Sequence, residues 1–365
     1  MARGRRLSGN RYAGSMPNTS PIRTGIIGFG LSGRVFHAPF VATNPAYSLD
    51  LIATSDQERA ADARRMHAGT EIVETPAQLL ARANELDLVI LASPAHVHLE
   101  QGLAALAAGA AVVIDKPFAA SVAEAEQLIA AAEAANRPLA VFQNRRWDGD
   151  FLTVKKLLTE GRLGTVHRFE STFERWSPAL RDRWQDTTTV AQGAGIAYDL
   201  GSHLVDQALH LFGPATVQHA ELSILRAGAT SDDEAFISLL HEGGVRSHLT
   251  MSRVAAQSGP RFRVLGSSAA YVVHGLDSQE PLLKAGGLPT DDGYGIEPES
   301  AWGLVGIDGS KDVRPERLPT ERGDYPAFYA ALAASIREGA PLPVDPRDSL
   351  EALRILARAH ELSGV

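Results

Sequence analysis

The segment GIIGFGLSGRVFHAPF runs from Gly25 to Phe40. A short apolar run, Ile22 to Ile27, enters the pattern G-x-G-x-x-G made by Gly28, Gly30 and Gly33, and a helix-like stretch leaves it. Each glycine does what a side chain would obstruct: a tight turn, close approach of backbone to a pyrophosphate, and close packing of helix on strand. The helix that follows aims its free N–H groups and positive dipole end at the same point, which suits a diphosphate. The loop Gly28-Phe29-Gly30-Leu31-Ser32-Gly33 is therefore the candidate cradle of a dinucleotide, and it predicts a Rossmann-like unit around it.

Outward from this loop the chain alternates. Leu49–Thr54 reads as the second strand and Gln57–His67 as its helix, and Leu86–Ala92, Ala111–Ile114 and Leu139–Phe142 are short, almost unbroken apolar runs. Strands of that kind are buried on both faces, as in a parallel sheet. Alanine-rich helices are expected between them at His96–Ala108 and Ser121–Asn136, the second opened by Ser121 with Glu124 three residues on. The pattern predicts a doubly wound α/β sheet over residues 21–144, with its ligand crevice beyond the carboxyl ends of the strands.

After residue 144 the period changes. Asp148–Glu160 and Ile196–Phe212 read as helices, the latter stopped by Gly213-Pro214. Thr165–Trp176 alternates with period two, and further strands are expected at Ala235–His241, Val245–Ser252 and Phe262–Leu265. Leu276–Pro319, rich in Gly, Pro and Asp, reads as a long surface excursion, and Tyr325–Gly339 and Ser349–Ser363 as closing amphipathic helices. Residues 145–365 are thus expected to form an α+β substrate and oligomerisation domain with a largely antiparallel open sheet, its closing helices free to pack back on the first domain. Residues 1–20, basic and poor in large apolar side chains, are expected to be a disordered tail.

Bulk composition narrows the function. At 365 residues the chain exceeds what one core usually serves, so two domains are the default. A net charge of −8 gives no reason to expect nucleic acid or an anionic membrane as partner. No apolar run approaches the roughly 20 residues that span a bilayer. With 0 cysteines there is no disulfide framework and no thiolate metal site or nucleophile, which fits a cytoplasmic protein, and no metal is expected.

The candidate site residues lie at strand ends and on one helix. Thr54-Ser55-Asp56 follows the second strand, where an acid binds the adenosine ribose and a small polar residue leaves room for a 2′-phosphate. Asp56 contacting the ribose favours NAD; Ser55 facing it, with Asp56 reduced to a helix cap, favours NADP. Ser93 and Pro94 end the fourth strand at the same rim, followed by His96 and His98, either of which suits cofactor contact or a structural role. Asp115-Lys116-Pro117 sets a lysine directly beyond the buried fifth strand. In YDLGSH, Asp199 and His203 are four apart and share one helix face beside an apolar stripe of Leu200, Leu204, Ala208 and Leu211.

Together, GFGLSG, the Asp-Lys-Pro triplet and Asp199-x-x-x-His203 resemble the Gfo/Idh/MocA oxidoreductases, over essentially the whole chain from Pro21 to Val365. VFHAPF, FQNRRWDGDF, YDLGSHLVDQALHLFG and PESAWG resemble the branch that contains NADP-dependent scyllo-inositol dehydrogenases. The resemblance implies that Lys116 matches the family's Glu-Lys-Pro lysine, touching substrate and nicotinamide ribose, and that Asp199 and His203 match its helix pair. Asp115 replaces the usual glutamate. It further implies NADP(H) as favoured cofactor, with NAD(H) as the alternative, a small polyol or sugar substrate, and a homodimer or homotetramer.

Oxidising a secondary alcohol removes a hydride and a hydroxyl proton. A histidine is suited to accept that proton and a cation to stabilise the developing negative charge. His203 is thus expected as general acid/base, Asp199 as its orienter or the substrate's, and Lys116 as electrostatic partner. Asn144, Arg145 and Trp147 are expected to hold a sugar-sized ligand, salt bridging and interface packing being the plain alternatives for the last two. The rival functions are a sugar or nucleotide-sugar ketoreductase with the same residues, and a non-catalytic NADP(H)-binding sensor.

Overall fold

The computed structural model describes residues 20–181 and 188–365, so the expected tail, apart from Ser20, lies outside the described residues. Six strands, β1 (Ile22–Ile27), β2 (Tyr47–Ala53), β3 (Glu71–Val73), β4 (Leu88–Leu91), β5 (Ala111–Asp115) and β6 (Leu139–Phe142), form an all-parallel sheet in the order β3-β2-β1-β4-β5-β6. That order reverses direction between β1 and β4, and the crevice there is where a doubly wound sheet binds its ligand.

The apolar runs are buried as expected, because parallel strands need cover on both faces. Helices α1 (Ala38–Thr43), α2 (Gln57–Met66), α3 (Pro76–Leu80), α4 (His98–Ala107) and α5 (Val122–Ala135) connect them. Alternate residues of one strand feed two cores: Val89 and Leu91 face α4 and α5, while Leu88 and Ile90 face the opposite side. Ser121 caps α5 by accepting from Glu124 N at 3.2 Å, and Glu124 reaches back to Ala120 N at 3.1 Å. The edge strand β3 is three residues long and only partly buried, too short and too weakly apolar to stand out in the sequence.

The second sheet has eight strands: β7 (Val166–Glu174), β8 (Ala215–Ser223), β9 (Glu234–His241), β10 (Arg246–Ser252), β11 (Phe262–Gly266), β12 (Ala270–Val273), β13 (Gly303–Gly306) and β14 (Glu316–Leu318). Their order is β14-β13-β12-β11-β7-β10-β9-β8. Every pair is antiparallel except β7 with β10, so the sheet is mixed. Around it run α6 (Gly149–Thr159), α7 (Ser202–Phe212), α8 (Gln279–Lys284), α9 (Pro326–Glu338) and α10 (Pro346–Ser363).

The stretch Leu276–Pro319 is not the plain excursion its composition predicts. It supplies α8 and the two edge strands β13 and β14, elements of three to six residues that are too short to carry a period. The closing helices pack back on the parallel sheet. Phe328, Tyr329 and Leu332 of α9 complete the core that holds Ile26, Ile52 and Phe142, and α10 joins the core shared by α5 and α7.

Candidate active site

A cleft of about 770 Å³ opens at the carboxyl ends of β1, β4 and β5 and is also lined by α7, α8 and Arg175, the residue that follows β7. Its volume suits a small-molecule or cofactor site. Its lining brings together Gly28, Phe29, Gly30, Leu31 and Ser32 of the glycine turn, Thr54, Ser55, Arg59, Ser93, Pro94 and His96 around the strand ends, and Lys116, Asn144, Arg145, Arg175, Asp199, His203, Glu280 and Lys284.

The glycine loop fits a bound pyrophosphate on its own geometry. Gly28 has φ +96°, and a Cβ there would stand 2.6 Å from Ala92 O. A Cβ on Gly33 would stand 2.0 Å from Gly28 O, so the helix that follows is wedged directly against the turn. That helix opens with a wide π-helical stretch, Ser32–His37, before it tightens into α1. Such turns recur at functional sites.

Asp115 ends β5 as a hub. It accepts from Ser32 Oγ and, at 2.7 Å, from Lys116 N. His37 Nε2 stands 3.8 Å from the oxygen that Ser32 reaches, while His37 Nδ1 lies 2.6 Å from the Tyr329 hydroxyl of α9. Burial pushes the Asp115 carboxyl up, but His37, Lys116 and Ser32 outweigh it and hold it below the ordinary carboxylate range.

Lys116 Nζ donates to Asp199 Oδ1 at 2.7 Å and to Asp199 O at 2.9 Å. The second carboxylate oxygen accepts from Arg253 Nη2 at 2.6 Å. Burial opposes ionisation of Asp199, but Lys116, Arg253 and Arg175 together hold it far below the usual carboxylate range. Asp199 sits in a second π-helical turn, Ala197–Gly201, that runs straight into α7. Gly201 lets this turn press on β10 and α10, since a Cβ there would meet Met251 Sδ at 2.8 Å.

His203 follows on α7 and is buried in the cleft wall. Burial first, then Lys116 and Arg145, push its imidazole well below the ordinary histidine value, against the opposing pull of Asp199. Its Nδ1 is buried with no hydrogen-bond partner among the described residues. Asp199 does not orient it by a hydrogen bond, as the shared helix face had suggested. Both carboxylate oxygens are taken by Lys116 and Arg253.

Other expected residues fall outside the cleft lining. Asp56 caps α2 by accepting from Arg59 N at 3.0 Å, with its other oxygen 3.5 Å from the Arg59 guanidinium, while Thr54, Ser55 and Arg59 line the wall. His98 is fully buried between Ser93 O at 2.8 Å and Phe118 O at 3.2 Å, tying two rim loops together. Trp147 packs edge-on to Phe328 at 5.7 Å. Arg145 does line the cleft, but it is also braced by Asp148 at 3.2 Å and Glu280 at 2.6 Å.

Arg253, Arg175, Glu280 and Lys284 were not legible as site residues. Each lies at the end of a strand or in the irregular stretch after Leu276, in no motif of its own. Arg175, Glu280 and Lys284 line the cleft and Arg253 reaches Asp199 from behind it, positions that depend on the packing of β7, β10 and α8 over the parallel sheet.

The family description "Oxidoreductase family, NAD-binding Rossmann fold" matches residues 22–143, and "GFO/IDH/MocA C-terminal domain" matches residues 151–272. The chain is 37% identical over 347 residues to scyllo-inositol 2-dehydrogenase (NADP(+)) of Bacillus subtilis, covering 94% of each. It is 39% identical over 337 residues to the uncharacterized oxidoreductase YdgJ of Escherichia coli, covering 92% of this chain and 94% of that one. The crystal structure of an oxidoreductase from Bacillus cereus superposes with a TM-score of 0.80 at 28% identity, over 93% of this chain and 96% of the other. Among the described residues no helix is long and apolar enough to cross a membrane. A dinucleotide-type crevice joined to a lysine, an aspartate and a histidine agrees with these matches: the chain belongs to the Gfo/Idh/MocA family of NAD(P)-binding oxidoreductases.

Proposed function

We propose that the protein is an NADP(H)-preferring dehydrogenase that interconverts a secondary alcohol and ketone of a cyclic polyol or sugar. The observation that carries this reading is the meeting of Lys116, Asp199 and His203 in the same cleft as the glycine loop. The wall formed by Thr54, Ser55 and Arg59, with Asp56 turned into its cap, supports NADP(H) over NAD(H): it offers small polar groups and a cation where a 2′-phosphate would sit. The scyllo-inositol relative, named for NADP(+), supports the same choice.

A bound nicotinamide supplies the hydride acceptor or donor. The chain's own groups handle the proton and the charge. His203, neutral through burial and neighbouring cations, is ready to take the hydroxyl proton in the oxidative direction and to return it in reduction. The Lys116 ammonium, held by Asp199, donates to the reacting oxygen and stabilises negative charge developing there. Arg253 locks Asp199 and so fixes the ammonium. Asn144 and Arg145 contribute polar contacts to the sugar-sized ligand.

The test is a panel of cyclic polyols and sugars with NADP⁺, followed by the absorbance of the reduced coenzyme. Turnover of at least one alcohol is expected; coenzyme binding without turnover across the panel would instead make the protein a sensor. Association through the outward face of the second sheet, where Val166, Arg168, Glu170 and Thr172 lie, completes the proposal. Light scattering that returns a monomer mass would remove that part.

A further inference from the structure

Beside the residues assigned to the substrate, the cleft contains a cation that the described residues leave without an ion-pair partner. Arg175 directly follows β7, lines the cleft and is half-buried. Its neighbours are all paired. Lys116 and Arg253 share Asp199, Arg145 is held by Asp148 and Glu280, and Lys284 is held by Glu280. Among the described residues, no carboxylate lies within ion-pairing distance of the Arg175 guanidinium and no side chain accepts a hydrogen bond from it.

What the side chain does touch is an aromatic face. Its guanidinium carbon stands 5.3 Å from the centre of the Phe173 ring, which also carries Arg145 at 4.8 Å and Arg261 at 5.7 Å. Three like charges around one ring repel one another. Arg145 has its two acids, and Arg261 has Asp150 at 3.6 Å, whereas among the described residues the Arg175 guanidinium has only the ring. Burial, with Arg253 and Arg145 beside it, pushes its pKa below the ordinary arginine value, despite the opposing fields of Asp199 and Glu280. A partly desolvated charge without a counter-charge is costly, and it is relieved when a ligand brings one.

We propose that Arg175 is an anion subsite and that the substrate is a polyol or sugar bearing a carboxylate or phosphate, whose anionic group pairs with Arg175 while its reacting carbinol lies at Lys116 and His203. The planar guanidinium fork matches both anions. Arg175 senses Asp199, which pairs with Lys116, and Glu280, which pairs with Arg145, so its neighbours are the residues assigned to the substrate and its partner is the substrate and not the coenzyme's pyrophosphate. This inference deepens the dehydrogenase reading above and rests on it.

The experiment compares neutral and anionic members of matched pairs, myo-inositol with inositol 1-phosphate and glucose with glucuronate, in the parent, Arg175→Ala and Arg175→Lys. Two readouts are taken: kcat/KM with NADP⁺, and the rise in melting temperature on adding each compound to the NADP⁺-loaded protein. The parent is expected to favour an anionic member by about 10–100-fold, the scale of one hydrogen-bonded charge pair, with the preference weakening as salt rises. Phosphate and carboxylate are told apart by which pair shows it. Arg175→Ala should collapse the anionic-to-neutral ratio through KM, and Arg175→Lys should restore part of it.

A parent with no anionic preference in either readout, or a ratio that survives Arg175→Ala, overturns the subsite. So does an unchanged ratio with weakened binding of NADP⁺ in Arg175→Ala, which would assign the guanidinium to the coenzyme. If no compound turns over but an Arg175-dependent melting shift persists, the subsite stands and the dehydrogenase reading falls. Turnover of neutral polyols alone leaves the dehydrogenase reading intact and overturns the subsite.

Discussion

Lys116 and Asp199 lie 83 positions apart in the chain, yet the lysine ammonium sits 2.7 Å from the carboxylate. One leaves the end of β5 and the other sits on the turn before α7, so this ion pair spans the cleft between the two sheets. Arg253, from beyond β10, clamps the other carboxylate oxygen at 2.6 Å. Asp199→Asn should leave two cations short of a counter-charge. We expect a fall in kcat/KM of about two orders of magnitude, together with a melting temperature lowered by several degrees, since breaking a largely buried pair costs about 3–5 kcal/mol and its partial exposure reduces that figure. Lys116→Met should match the kinetic loss with a smaller thermal one. Steady-state rates and thermal melts on the same preparations decide the matter.

His203 gives the reaction its pH signature. Its folded pKa is depressed below 6.5, so the imidazole remains the free base where an ordinary histidine is half protonated. The oxidative rate should hold its plateau on descending through pH 6.5 and show its acid limb only below that point. His203→Ala should lower kcat by about 10²-fold or more and abolish that limb. The same shift sets a stability trend. Below pH 6.5 the unfolded chain binds a proton that the folded one refuses, so this group's contribution to stability falls as the pH falls.

Asp277 runs the other way. Burial and the nearby Asp148 and Asp150 push its carboxyl up to about 8, against the N–H groups of Gly149 and Gln279. An acid raised from 3.8 to about 8 is protonated in the folded state and ionised in the unfolded state across that window, so its contribution to stability declines as the pH rises through it. Asp277→Asn should flatten the decline in melting temperature between pH 4 and pH 8, whatever it does to the mean value. Melts at several pH values in parent and variant check it.

Cofactor choice separates Ser55 from Asp56. Ser55 lines the cleft, so Ser55→Asp should shift the ratio of KM values toward NADH by placing a carboxylate against the site expected for the 2′-phosphate. Asp56→Ala should leave that ratio alone and cost about 1 kcal/mol of stability, the usual value of a lost helix cap. A change of coenzyme preference in Asp56→Ala would reassign the residue to the ribose.

Local physics made much of this chain readable. Buried parallel strands announce themselves as apolar runs, as Leu88–Leu91 and Leu139–Phe142 do, and a turn that tolerates no Cβ announces itself in Gly28 and Gly33. A lysine at a strand end and an aspartate and histidine on one helix were legible for the same reason, because strand ends and helix faces are set within a few residues. Asp56 was ambiguous because one side chain satisfies a cap or a ribose equally well in sequence; the structure gives it to Arg59 N.

The sequence alone therefore determined the doubly wound sheet, the glycine turn and the candidates Lys116, Asp199 and His203, all products of short-range pattern. Tertiary structure decided which groups those side chains meet. Asp199 is held by Lys116 and Arg253 and not by His203, Asp115 is braced by Ser32, and Arg175 is brought to the cleft without an ion-pair partner among the described residues. Contacts between residues far apart in the chain depend on how two sheets dock, and docking is fixed by summed burial over many side chains, which no local pattern encodes.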